Sequence, residues 1–109
     1  MTNGKTAQET IQIIADTIMA EYRPLKIILF GSFASGQETE DSDIDLLIVK
    51  NTDARPIDRW IEVKRLLRDV ARGVPVSPLV YTEEEVRNRI AMKDLFLSEI
   101  IEKGRALYG

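Results

Sequence analysis

Apolar side chains recur at Ile11, Ile14, Ala15, Ile18, Met19 and Tyr22, the three-and-four spacing that gives a helix one buried stripe, so residues 6–22 are predicted as a first helix. Thr6 with Glu9 three positions on is a capping box at its start, and Arg23-Pro24 ends it, because the residue before a proline avoids the helical region. Lys26 to Phe30 is a short isoleucine-rich run that reads as a buried strand stopping at Gly31. Residues 31–42 carry glycine, serine, threonine, glutamine and acids, the composition of a turn and loop. Ile44 to Val49 is a second apolar run, too short for a helix, and Asn51 to Arg55 makes a polar break.

From Pro56 the helical spacing returns through Ile57, Trp60, Ile61, Lys64, Leu67, Val70 and Ala71, and Gly73 is the expected stop. Val74 to Tyr81 is a third strand; Pro75 and Pro78 cannot donate to a ladder and push it toward an edge or a late start. Thr82 and Glu85 form a second capping box ahead of a helix from about Glu83 to Met92, and Leu95 to Lys103 gives a last helix before a terminal strand, Arg105 to Tyr108. This order of elements predicts an α/β (α+β) chain built on a small mixed sheet.

At 109 residues, with 44% apolar and 30% charged side chains, the chain is expected to form one domain over residues 1–109 around a real core. The net charge of −3 offers no electrostatic excess for holding a polyanion, which speaks against nucleic-acid binding. Cysteine and histidine are both absent, so disulfides, thiolate zinc sites and the Ser-His-Asp triad drop out together. Chemistry is left to carboxylates, hydroxyls, backbone amides and a hard metal ion. No apolar run reaches membrane-spanning length and no signal pattern opens the chain, so no membrane association is expected and the cytoplasm is the expected location.

The informative stretch is Leu29-Phe30-Gly31-Ser32-Phe33-Ala34-Ser35-Gly36, followed after the loop by Asp41-Ser42-Asp43-Ile44-Asp45-Leu46. If Asp43 begins the second strand, Asp43 and Asp45 project from the same face with carboxylates about 6 to 7 Å apart along the pleat. Two carboxylates so near a core call for a counter-charge, and a divalent cation supplies it; magnesium favours a few carboxylate oxygens completed by phosphates and water. Gly31-Ser32 at a strand end lets backbone amides and a hydroxyl approach phosphate oxygens without an intervening side chain.

Gly31, Ser32, Ala34, Gly36, Ser42, Asp43, Asp45 and Leu46 together resemble the hallmark of the minimal nucleotidyltransferase domains, small relatives of the polymerase-beta-like superfamily. The flanking elements, from the first helix to the ending Gly104 to Tyr108, are similar as well. The resemblance implies transfer of a nucleoside monophosphate from a nucleoside triphosphate, typically ATP, to an acceptor hydroxyl. Asp43 and Asp45 would be catalytic and hold Mg2+ or Mn2+, and Gly31, Ser32, Gly36 and Ser42 would serve the nucleotide and its phosphates. Such domains pair with helical HEPN proteins in toxin–antitoxin modules, which implies a role as antitoxin, a partner tyrosine as acceptor, and a homo- or hetero-oligomer.

The sequence departs from the family at one informative place. A third carboxylate is expected in the valine-rich strand, and aligning Val76 to Thr82 with it places Ser77 there, a hydroxyl that cannot act as carboxylate ligand or base at neutral pH. No basic residue stands at Phe33 or Ser35, where relatives place one. The alternative expectation is therefore a weak or inactive fold that neutralises a partner by binding. Glu38, Glu40 and Asp41 are the acids a loop could swing in as substitutes. The remaining features have plainer readings: Ser42 as an orienting hydrogen-bond partner, Trp60 as core or interface, Glu83-Glu84-Glu85 as a dipole-favoured helix start, and Lys64, Arg65, Arg68 and Arg72 as a solvated face.

Overall fold

Lys26–Phe30 (β1) and Ile44–Val49 (β2) pair antiparallel at the centre of a four-stranded mixed sheet. Val76–Tyr81 (β3) lies parallel to β2 at one edge, and Arg105–Tyr108 (β4) lies antiparallel to β1 at the other, giving the order β3-β2-β1-β4. The computed structural model describes residues 6–71 and 73–109. The helices are Ala7–Tyr22 (α1), Ser32–Ser35 (α2), Pro56–Leu66 (α3), Glu83–Ala91 (α4) and Leu95–Lys103 (α5).

Alternation along the strands divides the apolar residues between two layers. Ile27 and Leu29 of β1, Ile44, Leu46 and Ile48 of β2 and Val76 and Val80 of β3 pack with Ile11, Ile14, Ile18 and Tyr22 of α1 and Val63 of α3. On the opposite face Ile28, Leu47 and Val49 meet Leu97 and Ile100 of α5, with Val86 of α4 beside them. This second layer is shorter. It leaves uncovered the sheet end where β1 finishes and β2 and β3 begin.

Several expectations need correction. The segment read as loop contains α2, a four-residue turn closed by Gly36 in the left-handed region at φ 76°. Helix α3 stops at Leu66 rather than running to Gly73; Arg68 N–H bonds to Arg65 O and Ala71 N–H to Leu67 O, so looser turns carry the buried Leu67 onward. Strand β3 begins at Val76, not Val74, and lies at the edge where its two prolines are tolerated. Helix α4 ends one residue early, at Ala91. Trp60 does not enter the core: it is 44% exposed, with the Lys64 Nζ 5.6 Å above its ring.

Lys64 is likewise no solvated cation, since its ammonium donates to Val76 O at 3.0 Å. Arg65 and Arg68 are exposed as expected, whereas Arg72 lies outside the described residues. Arg59, which the amphipathic pattern did not single out, is buried and ion-paired to Glu85 at 2.8 Å.

Candidate active site

The site is built from one row of residues across the sheet. Phe30 is paired with Asp45 across β1 and β2, and Asp45 with Ser77 across β2 and β3, so all three side chains stand on the α5 face. Asp43 precedes the first residue of β2 yet faces the same way, because the Ser77 hydroxyl donates to its Oδ2 at 3.0 Å. The two-residue spacing thus brings the acids together as expected. Ser77 occupies the third position of the cluster.

Gly31 closes the corner beside them. Its φ of +76° with ψ −156° is a region that side chains avoid, and a Cβ there would run into Asp45 Oδ2, so only glycine lets the chain turn against that carboxylate. Ser32 opens α2 directly after it. Phe30, Gly31, Ser32 and Asp45 line a cavity of about 590 Å³, whose far wall is α5 with Phe96, Glu99, Ile100 and Lys103. Gly36 lies at the end of α2, away from the acids in the chain. Ser42 turns into its own loop, where its Oγ accepts from the Thr39 N–H at 2.8 Å.

Electrostatics mark Asp45 as the strained member. Burial, and secondly the Asp43 charge, push its carboxyl above the ordinary aspartate range. Among the described residues no lysine or arginine forms an ion pair with either acid, and no third carboxylate joins them. Glu38, Glu40 and Asp41 stay exposed in the loop and do not substitute. Two facing carboxylates with a hydroxyl beside them and no cation fit a hard divalent ion that retains open positions for phosphate oxygens and water.

The α5 wall was not legible in the sequence. Phe96, Glu99 and Lys103 flank the apolar stripe of Leu97 and Ile100 on an ordinary amphipathic helix, and their place at the cavity depends on how that helix docks. Gly104 makes the docking close, since a Cβ there would meet Ile100 O and Ile28 Cγ2.

The sequence model described as polymerase beta, nucleotidyltransferase matches residues 12–109. The chain belongs to that family. A Methanocaldococcus jannaschii protein described as a "putative protein adenylyltransferase" is 37% identical to it over 105 residues, covering 93% of this chain and 97% of the relative. A second M. jannaschii protein of the same description is 29% identical over 76 residues, 69% of this chain and 73% of its own. Among solved structures, one described as a "putative nucleotidyltransferase" from Sulfolobus solfataricus superimposes with a TM-score of 0.56, at 24% identity, over 80% of this chain and 85% of that one, and shows the shared fold. In this nucleotidyltransferase the family resemblance read from Gly31-Ser32 and Asp43-x-Asp45 holds for most of the chain.

Proposed function

We propose that this nucleotidyltransferase moves AMP from ATP to a hydroxyl of a partner protein, with Asp43 and Asp45 as its catalytic acids. The observation that carries the reading is the unneutralised Asp43–Asp45 pair, with Asp45 seated against the Gly31 corner. The names given to the M. jannaschii relatives support a protein acceptor and adenylyl as the group moved.

In the transfer the acceptor oxygen bonds to the α-phosphorus and the bond from that phosphorus to the β-bridging oxygen breaks. Pyrophosphate leaves with the electron pair, and the hydroxyl proton passes to solvent. Asp43 and Asp45 would hold Mg2+ or Mn2+, which when bound neutralises triphosphate charge and lowers the barrier to displacement. Gly31 and Ser32 offer the phosphates a close approach to backbone and hydroxyl, Gly36 ends the α2 turn that carries them, and Ser42 braces the loop leading to Asp43. Ser77 orients Asp43 through its hydrogen bond. Residues 1–109 act in this scheme as one cytoplasmic domain, and the partner is a small helical HEPN protein whose tyrosine is modified, the chain serving as antitoxin.

Ser77 favours a second reading. Lacking the third acid, the chain would be a weak or inactive fold that neutralises its partner by complex formation alone. Incubation with magnesium, α-labelled ATP and the purified HEPN partner separates the two. Labelled partner is the expected result, lost when Asp43→Asn and Asp45→Asn are combined while the complex still forms. A stable complex without label establishes the binding module, and label that survives the double replacement sinks the assignment of the acids.

A further inference from the structure

Helix α5 faces the Gly31–Ser32 corner across the cavity, and two of its residues look out of place for a helix whose task is packing. Phe96 lies next to the buried Leu97 but is itself 55% exposed. Its ring stands edge-on to Phe30, centroids 5.8 Å apart at 83°, an arrangement that favours a fixed position over a free one. Phe30 is the cross-sheet neighbour of Asp45. A half-exposed aromatic ring thereby lines the same cavity as Asp45, held in place by its contact with Phe30.

Lys103 lies seven residues further along α5, about 10 Å of helix rise, the scale of a nucleotide from its base to its phosphate chain. It is the one cation among the described residues lining the cavity. Among the described residues its ion pair is with Glu99 at 3.5 Å, between two side chains each about two-thirds exposed, a weak pairing that leaves the ammonium able to turn toward an anion. The α2 positions Phe33 and Ser35 bring no positive charge to the triphosphate, and Lys103 brings it from the opposite wall.

We infer that α5 is the second half of the nucleotide site, with Phe96 as the platform on which the base of a nucleoside triphosphate stacks and Lys103 as the cation for its phosphate chain. This rests on the reading of the cavity as the nucleotide site. Stacking uses the π-face common to all bases, so the platform fixes the nucleotide without choosing strongly between adenine and guanine.

Calorimetric titration with magnesium and ATP, GTP or inorganic tripolyphosphate tests both assignments. Phe96→Ala is expected to weaken ATP and GTP about tenfold while leaving tripolyphosphate unchanged, and Phe96→Tyr to restore nucleotide binding. Lys103→Gln is expected to weaken ATP and tripolyphosphate together. As a readout independent of affinity, Phe96→Trp in a Trp60→Phe background should lose fluorescence on adding ATP but not on adding tripolyphosphate. ATP affinity unchanged by Phe96→Ala, or a loss shared equally with tripolyphosphate, overturns the platform and leaves the nucleotide site standing. A wild-type protein that binds none of the three ligands removes the site itself.

Discussion

At the scale of single residues, Asp45 shows a conflict between folding and function. Its carboxyl is raised above the ordinary aspartate value by burial and by Asp43, so the folded state favours the protonated form. A raised carboxyl contributes stability below its unfolded value near 3.8 and loses it as pH rises through the folded value; ionised at pH 7, Asp45 is a net cost. Asp45→Asn removes that cost. Allowing for solvent screening at a half-buried group, the gain is about 0.5 kcal/mol, or about 2 to 4 °C in Tm. The gain should shrink toward pH 3, where the native side chain is also neutral, and magnesium should raise the Tm of the native protein but not of the variant. Thermal scans at pH 7 and pH 3, with and without magnesium, check this, and a variant less stable than the native chain at pH 7 without metal would refute it. The residues of this conflict were readable beforehand. A period of two puts Asp43 and Asp45 on one face of any strand, and the strand alignment put Ser77 beside them. Phe96 and Lys103 were not readable, because nothing local distinguishes a helix residue facing a cavity from one facing water.

At the scale of elements, boundaries carried by local chemistry were legible and those set by packing were not. Both capping boxes form as the sequence spells them, Thr6 with Glu9 and Thr82 with Glu85, each side chain accepting from the other's backbone. Both central strands match to the residue, since β1 is an isoleucine-rich run stopped by Gly31 and β2 an apolar run too short for a helix, set between an acidic loop and a polar break. The end of α3 was missed because Leu67 continues the apolar spacing after the helical hydrogen bonds have loosened. The α2 turn was missed because four residues give no periodicity. That turn depends on Gly31. Gly31→Ala must adopt a positive φ and displace Asp45, at a cost of about 1 to 3 kcal/mol. Urea unfolding should report the loss, and binding of magnesium with ATP should fall as well. Gly36→Ala shares the positive φ but meets nothing within 4 Å, so it should cost less and leave ligand binding closer to normal. Equal effects of the two substitutions on binding would show that the Gly31 contact with Asp45 has no bearing on the site.

At the scale of the whole molecule, the two helical layers are tied around the open β3 edge by one ion pair. Arg59 of α3, on the α1 side of the sheet, donates to Ala54 O, to Val80 O of β3 and to both carboxylate oxygens of Glu85 at the start of α4, on the other side. The pair was hidden in the sequence: arginine on an amphipathic helix reads as solvated, and an acid at a helix start reads as a dipole partner. Glu85 also receives the Thr82 N–H in the capping box, so Glu85→Gln retains an acceptor for the cap while removing the charge and one of the two oxygens that accept from Arg59. The buried guanidinium then loses its counter-ion, a cost of about 1 to 2 kcal/mol at pH 7, modest because Glu85 is 37% exposed. The hydrogen bond from Arg59 is the main reason the Glu85 carboxyl lies below its usual value of 4.5. A depressed carboxyl supplies stability that is complete above its unfolded value and disappears as pH falls through the folded one. The native and Glu85→Gln proteins should therefore differ most at neutral pH and converge below about pH 4.5. Urea midpoints measured from pH 7 down to pH 3 trace that convergence, whereas a gap that stays constant across the range would mean that Arg59 is held by the two carbonyls and that the layers are tied without the charge.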